Sequence, residues 1–279
     1  MRVPACDLHT HTALCDGADT PEKMAARAQS LGLRALGISG HSPTDAGCSW
    51  ALSDVDAYVE RIRSLRGCYG ETAILCGLEY DSAWTLKGRE RFDYIIGSVH
   101  YLTLTDGRQI PVDESREITE RAIDEHFGGS PVRYAEAFFA ELASMIERIS
   151  PDIVGHIDLP TKFDAGTPIF DGESLAYRRA ALCALDVAID RGATVEVNLG
   201  AILRARRGRA DIKCAPYPAE FLLRRLLERG GAPILSSDAH RAEDIAGEFA
   251  WGADYLASLG FRELTAHNGK DFIRIPIEK

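Results

Sequence analysis

The strongest constraint on the fold is the alternation of short apolar segments of β type with helical patterns along the chain. Strands that alternate with helical segments indicate a parallel sheet with crossover helices. Seven segments are predicted as the principal strands: RVPACDLH, RALGISGH, TAILCGLEY, FDYIIGSVH, DIVGH, ATVEVNLG and APILSSDAH. Seven is close to the eight strands of the common α/β barrel, so the pattern predicts a fold of this class.

Helical patterns are predicted over 20–32, 53–67, 115–127, 131–149, 173–191 and 217–229, and a last helix and a short strand follow. In the first helix Thr20 can cap the amino end, Pro21 takes the first helical position and Gly32 closes the carboxyl end. No repeat or linker interrupts the pattern. We therefore expect residues 1–279 to form one domain, a length that α/β barrels reach.

Most of the predicted strands end in a side chain that can bind metal. His9 and His11, two positions apart in DLHTH, project to one face of an extended strand. The other strand-end residues of this kind are His41, Glu79, His100, His156, Asp238 and His240. The carboxyl ends of barrel strands open on one face, so these side chains are predicted to share a cleft. Crowded polar groups are costly there unless paired, and a site for several metal ions satisfies them.

Two further histidines lie outside this pattern. His126 falls in a helical stretch and His267 lies near the carboxyl terminus, and neither follows a recognisable strand. Both are predicted as surface or capping residues.

The charge balance and the cysteines exclude several classes of protein. The chain has 32 basic and 42 acidic residues, and a formal net charge of −10 argues against a general surface for nucleic acid or anionic membrane. Seven cysteines without paired spacing predict neither a disulfide framework nor a zinc knuckle. The sequence has no apolar run of the length of a signal core or a membrane span. We expect a cytoplasmic protein.

Seven strings in order over nearly the whole chain resemble the polymerase and histidinol phosphatase (PHP) superfamily: DLHTHT, GISGHSP, GLEYD, IIGSVHYL, DIVGHIDLPTKF, VEVN and SSDAH. Within it, GHSP, GSVHYL, GHIDL and SSDAHRAEDIA are most similar to the monofunctional histidinol-phosphate phosphatases. The resemblance implies a distorted (β/α)7 barrel with three divalent metal ions, of zinc, manganese or iron, at the carboxyl face.

The resemblance assigns metal ligands position by position. The three sets are His9, His11, Glu79 and Asp238 for the first ion, Glu79 as a bridge with His100 and His156 for the second, and His41 with His240 for the third. Part of the superfamily supplies one more histidine from the loop after HTH, where this chain has CDGAD. Asp16 is the first choice for that ligand and Asp19 the second.

The chemistry implied is hydrolysis of L-histidinol phosphate, in histidine biosynthesis, by a hydroxide that bridges two ions. Asp238 or His240 is expected to pass a proton to the departing alkoxide. Lys162 and the cluster RARRGR, with Arg204 and Arg206, lie in predicted loops after strand ends and are expected to bind the substrate phosphate. Aromatic residues after strand ends, Tyr101 and Trp84, are the candidates for the substrate pocket.

Three other functions stay open from the sequence. A PHP phosphoesterase acting on phosphotyrosine, a nucleotide or a sugar phosphate would use the same centre. An amidohydrolase also begins with two histidines on a first strand and ends with an aspartate, although its bridging group is usually a modified lysine where this chain has Glu79. The third is an inactive metal-binding module. The expected partner is a small phosphorylated metabolite, and the number of subunits is open.

Overall fold

The computed structural model describes residues 6–44 and 48–277. Within these residues the strands are β1 (Cys6–Asp7), β2 (Ala35–His41), β3 (Ala73–Asp81), β4 (Tyr94–Ser98), β5 (Tyr101–Thr103), β6 (Gln109–Pro111), β7 (Ile153–Val154), β8 (Thr194–Asn198), β9 (Ile234–Ser236), β10 (Glu263–His267) and β11 (Phe272–Pro276). The α-helices are α1 (Pro21–Ser30), α2 (Val55–Arg63), α3 (Arg116–His126), α4 (Pro131–Ile149), α5 (Leu175–Asp190), α6 (Gly200–Arg206), α7 (Glu220–Glu228) and α8 (Phe249–Leu259).

The seven predicted strands form one parallel sheet in the order β1, β2, β3, β4, β7, β8 and β9. The chain just after β1 then meets the chain just after β9, where Thr10 and Ala239 form a parallel bridge. The backbone N–H of His11 donates to the carbonyl of Ala239 at 2.8 Å. The first and last of the seven strands are thus joined at their carboxyl ends, and the predicted barrel is confirmed.

The amino end of the barrel is distorted by an additional strand. β10 pairs with β9 in parallel and with β11 antiparallel, and its last residue, His267, donates its backbone N–H to Cys6 Sγ of β1 at 3.1 Å. The prediction of His267 as a surface residue was wrong, because it ends a strand and is buried. Its Nδ1 atom accepts a hydrogen bond from Gly269 N, so it does cap the turn that follows. His126 is half-buried in the last turn of α3, whose C-cap residue is Phe127.

Local sequence signals explain the helices that were predicted. Thr20 Oγ1 accepts from Lys23 N at the start of α1, Pro21 is its first residue, and Gly32 beyond its end has a φ of 71°. The hairpin of β5 and β6 and the short helix α6 were missed, since three-residue strands and a seven-residue helix carry little periodicity. No helix within the described part of the chain has the length and apolarity that a membrane crossing requires.

Glycine makes room for one large side chain inside the barrel. The Tyr94 ring lies against Gly37 of β2 and Gly77 of β3, where a Cβ would fall 2.0 Å and 2.2 Å from its hydroxyl oxygen and Cζ. The Tyr94 hydroxyl donates to the carbonyl of Leu8, at the end of the first strand segment. This contact ties the chain just before the HTH segment to the floor of the barrel.

Candidate metal centre

All nine side chains predicted as metal ligands lie together at the carboxyl face of the barrel. They form four overlapping groups, each with ligand atoms within 4.8 Å of one another: His11, Asp16, His41 and His240; His9, His11 and Asp238; His9, Glu79 and His156; and His41, Glu79 and His100. Eight of the nine residues lie at or just after a strand end, because the seven parallel strands all point the same way, and Asp16 comes from the loop after HTH. The register places ligands on neighbouring strands side by side, as with His41 opposite Glu79.

Glu79 stands at the middle of the centre, with its two carboxylate oxygens facing two sets of imidazoles. Oε2 lies 3.2 Å from His9 Nε2, 3.4 Å from His11 Nε2 and 2.9 Å from His41 Nδ1, while Oε1 lies 2.9 Å from His156 Nε2 and 3.3 Å from His100 Nε2. Ser98 Oγ also donates to Oε1 at 2.9 Å. A carboxylate in this position can bridge two metal ions, which is the role that the resemblance implied for it.

Several buried atoms of this centre approach one another to 2.9–3.4 Å but do not have the geometry of a hydrogen bond with any residue that the structure describes. They are His9 Nε2, His11 Nε2, His41 Nδ1 and Glu79 Oε2. An unsatisfied buried polar atom costs about 1–3 kcal/mol, so four in one place require an explanation. Imidazole nitrogens and carboxylate oxygens together are the donor set that zinc and similar divalent ions prefer. The residues fit divalent metal ions, and the site is a metal site of this class.

The loop after HTH brings Asp16, and not Asp19, to the centre. Asp16 Oδ2 lies 3.1 Å from His240 Nε2 and 3.5 Å from His41 Nε2. The Asp19 carboxylate is engaged elsewhere, where it accepts from Lys23 Nζ at 2.6 Å and from Ala242 N at 2.8 Å. Asp19 therefore fastens the loop to the segment after β9, while Asp16 faces the imidazoles.

A buried carboxylate of β8 that we did not single out from the sequence supports two of the ligands. Glu196 Oε1 lies 2.5 Å from His9 Nδ1, and Oε2 accepts the backbone N–H of His156 at 2.7 Å. Ser236 Oγ donates to the same carboxylate. A hydrogen bond to Nδ1 leaves Nε2 of His9 free to face Glu79, the usual way in which proteins orient a metal-binding histidine. A sequence signal for Glu196 was present, because it is a single acidic residue between the valines of the predicted strand VEVN.

Asp81 supports a third ligand in the same way. Its Oδ2 accepts the backbone N–H of His100 at 2.7 Å and lies 3.1 Å from His100 Nδ1. Asp81 is the last residue of β3, in the string GLEYD. The sequence therefore shows that it lies near Glu79, but not that it orients His100. Two carboxylates outside the ligand set, Asp81 and Glu196, thus orient His100, His9 and the chain at His156.

The centre keeps its carboxylates ionised and its innermost imidazole neutral. Burial opposes ionisation of Glu79, but the imidazoles of His9, His41 and His100 hold the pKa of this carboxyl well below its usual range. Burial likewise opposes ionisation of Asp238, and Arg204 leads the charges that hold its pKa well below the usual range. Burial and the neighbouring His41 lower the pKa of His11 to about 4. Ionised carboxylates and neutral imidazoles are the forms that bind metal ions. Burial opposes protonation of His9, His41 and His100, but the neighbouring carboxylates raise the pKa of all three, so metal binding displaces protons from these imidazoles.

A cavity of about 840 Å³ opens over the metal centre. On one side the rings of Trp50 and Tyr101 stack with centroids 6.0 Å apart and planes 4° from parallel. On another side lie Arg204, with Nη2 3.2 Å from Asp238 Oδ2, and Lys162, with Nζ 2.8 Å from Asp113 Oδ2. Arg207 and Arg209 also line it. The cavity therefore combines an aromatic wall with a cationic wall above the metal ligands.

Three of the five predicted substrate-binding residues line this cavity, namely Tyr101, Lys162 and Arg204. The other two do not lie there. Arg206 pairs with Glu248 on the outer surface, since α6 turns the side chains of positions 204 and 206 to different faces. Trp84 lies in a separate depression beside Tyr80, whose hydroxyl donates to the Trp84 carbonyl at 2.5 Å. The prediction that placed Arg204 and Arg206 in a loop was wrong, because both lie on α6.

Known proteins resemble this chain over most of its length. Residues 7–199 match the family model of the PHP domain. A curated protein of Deinococcus radiodurans named probable histidinol-phosphatase is 28% identical over 285 residues, which span 95% of this chain and 97% of that protein.

Two solved structures share the fold. A Listeria monocytogenes protein superposes with a TM-score of 0.71 at 22% identity, over 88% of this chain and 99% of that chain. Histidinol phosphate phosphatase of Lactococcus lactis, crystallised with zinc, L-histidinol and phosphate, superposes with a TM-score of 0.67 at 18% identity, over 98% of this chain and 100% of that chain.

Proposed function

The chain belongs to the PHP domain family, and from that premise we propose that it is a metal-dependent phosphomonoesterase that hydrolyses L-histidinol phosphate to L-histidinol and phosphate. One observation carries the proposal: Glu79 faces five ligand imidazoles with its two oxygens, at the floor of a cavity that has a cationic wall. The choice of substrate is supported by the Deinococcus relative, which shares nearly the full length of the chain.

We assign three divalent ions to the centre. In the sets that the resemblance implies, the first ion would be held by His9, His11, Glu79 and Asp238, the second by Glu79, His100 and His156, and the third by Asp16, His41 and His240. All nine residues belong to the four overlapping groups described above. The Lactococcus protein contains zinc, which supports zinc ahead of manganese or iron. Bound there, such ions lower the pKa of water to near neutral and offset negative charge on a phosphoryl group.

Asp238 and His240 are the proposed catalytic residues. Arg204 and the imidazoles keep Asp238 ionised, so its carboxylate orients its neighbours and is a poor source of protons. His240 Nδ1 lies 3.6 Å from Asp238 Oδ1, and 32% of the His240 side chain is exposed to the cavity. An imidazole that binds an ion through Nε2 keeps its proton on Nδ1. We therefore assign the transfer of a proton to the leaving oxygen of the alcohol to His240 Nδ1, which lies 2.9 Å from the Asp238 carbonyl oxygen.

The two walls of the cavity are proposed to bind different parts of the substrate. Arg204 and Lys162 supply positive charge for the phosphate, the first as a planar group and the second as a point charge held by Asp113. The stacked pair of Trp50 and Tyr101 offers a flat apolar surface to the imidazole ring of the substrate. A small phosphorylated metabolite fits a cavity of this size and chemistry.

The proposal extends to the whole chain as one catalytic domain, residues 1–279. We also propose that the protein is located in the cytoplasm. The seven cysteines support that location, since all of them are free thiols in the structure.

The test is phosphate release by metal-loaded protein from L-histidinol phosphate, measured beside phosphotyrosine and nucleoside monophosphates. We expect histidinol phosphate to be preferred, with a kcat/KM of about 10⁴ M⁻¹s⁻¹ or more. His100→Ala should abolish turnover, whereas His126→Ala, which alters a histidine outside the centre, should keep it. A preference for another ester would overturn the substrate, and hydrolysis of an amide without phosphate release would favour an amidohydrolase. Metal binding without any turnover would indicate an inactive module.

A further inference from the structure

Tyr217 lines the cavity over the metal centre and has a buried hydroxyl. Its backbone pairs with Asn198 at the end of β8, through N–H···O contacts of 2.9 Å and 3.1 Å. Only 1% of the residue is exposed, and it lines the cavity. The hydroxyl has no hydrogen-bond partner among the residues that the structure describes. Neither metal binding nor the catalytic steps assigned above use it.

The Tyr217 ring is held by neighbouring side chains, and several of these neighbours are charged. Lys213 Nζ lies 3.9 Å from the ring centroid, a cation–π contact that holds the ring in place. The His156 ring meets it edge-on, with centroids 6.3 Å apart. Burial raises the pKa of the Tyr217 hydroxyl, and the positive charge of Arg204 opposes that rise. The phenol is therefore held beside the cationic wall of the cavity.

A second donor in this wall is also unsatisfied. Arg204 Nε is buried and has no hydrogen-bond partner in the described part of the chain, although Arg204 Nη2 contacts Asp238. A tyrosine hydroxyl is protonated at neutral pH and a guanidinium nitrogen only donates. Two donors that lack acceptors thus belong to residues that line the same cavity. A ligand with several acceptor oxygens can satisfy both, which is the chemistry of a phosphoryl group.

We infer that Tyr217 is a substrate-binding residue whose hydroxyl donates a hydrogen bond to a phosphoryl oxygen beside Arg204. The inference rests on the proposed function, because a phosphate ester is its ligand. Lys213 acts on the same ring as a positioning residue. Because the phosphoryl group is present in substrate, transition state and product, the hydroxyl stabilises all three, and its loss acts mainly on binding.

The experiment measures the binding of inorganic phosphate to metal-loaded protein by titration calorimetry, beside KM and kcat for L-histidinol phosphate. Tyr217→Phe removes the hydroxyl and keeps the ring. The matched control is Tyr134→Phe, because Tyr134 on α4 is also buried with a hydroxyl that lacks a partner in the described residues but does not line the cavity. Metal content is measured for each protein.

For Tyr217→Phe we expect the phosphate Kd and KM to rise about tenfold to hundredfold, with kcat within about twofold of wild type. The control should leave all three unchanged. A rise in Kd below about fivefold, or a loss of metal from Tyr217→Phe, overturns the inference. Phosphate binding needs no turnover, so a wild-type protein that binds phosphate without hydrolysing the ester would refute the proposed function and leave Tyr217 testable.

Discussion

His9 Nδ1 and Glu196 Oε1 lie 2.5 Å apart in a part of the barrel that solvent does not reach. The contact joins the end of β1 to β8 and fixes which nitrogen of His9 is turned to the metal site. The metal affinity of the centre therefore depends on a residue that is not itself a ligand.

We expect Glu196→Gln to weaken metal binding about tenfold to hundredfold, because His9 loses the charged acceptor that orients its ring. The measurement is a chelator competition that gives the metal Kd. Glu263→Gln, an exposed glutamate on β10, is the matched control and should bind metal as the wild type does. Equal affinities for both variants would contradict the role assigned to Glu196.

Removal of the metal ions should lower the thermal stability of the protein. The centre crowds partnerless nitrogens and oxygens in a buried site. Ligands that bind only the folded state stabilise it by an amount that grows with the logarithm of ligand concentration over Kd. We expect chelation to lower Tm and added zinc to restore it, as followed by calorimetry. His126→Ala should show the same shift as wild type. A Tm that does not respond to chelator would refute the metal assignment.

Asp16 and Asp19 should have separable effects, although only two residues separate them in the loop after HTH. We expect Asp16→Asn to bind one metal ion fewer per chain, since Asp16 faces His41 and His240. Asp19→Asn should keep the full complement and lose about 1 kcal/mol of stability, because Asp19 accepts from Lys23 and Ala242. Metal-to-protein ratios by elemental analysis and urea unfolding test the two. Metal loss from Asp19→Asn alone would reverse the assignment.

Gly77→Ala should destabilise the barrel by about 1–3 kcal/mol, because the new methyl group would overlap the Tyr94 ring. Gly172→Ala is the control, since a Cβ there meets no atom of the described chain within 4 Å and its φ is not in the left-handed region. The control should match or slightly exceed wild-type stability in urea unfolding. Equal stabilities for the two variants would show that the Tyr94 ring can move aside.

The sequence predicted the strands and the ligands because both depend on local information. An apolar run that leads to His41 or Glu79 predicts both a strand and the end of the barrel at which the site lies. The hairpin of β5 and β6 left no such signal. The direction in which the Arg206 side chain points depends on α6, and a seven-residue helix is too short to show a helical periodicity in the sequence. The hydrogen bond between His9 and Glu196 joins residues that are distant in sequence. It depends on which strands pair in the barrel, and no local pattern predicts that.

The bridge between Thr10 and Ala239 also determines when the centre can exist during synthesis. At translation rates of about 5–20 residues per second, His9 and His11 leave the ribosome on the order of tens of seconds before Asp238 and His240. Throughout that interval the nascent chain carries an incomplete ligand set. A full complement of ions can therefore be loaded only after the chain has emerged as far as His240.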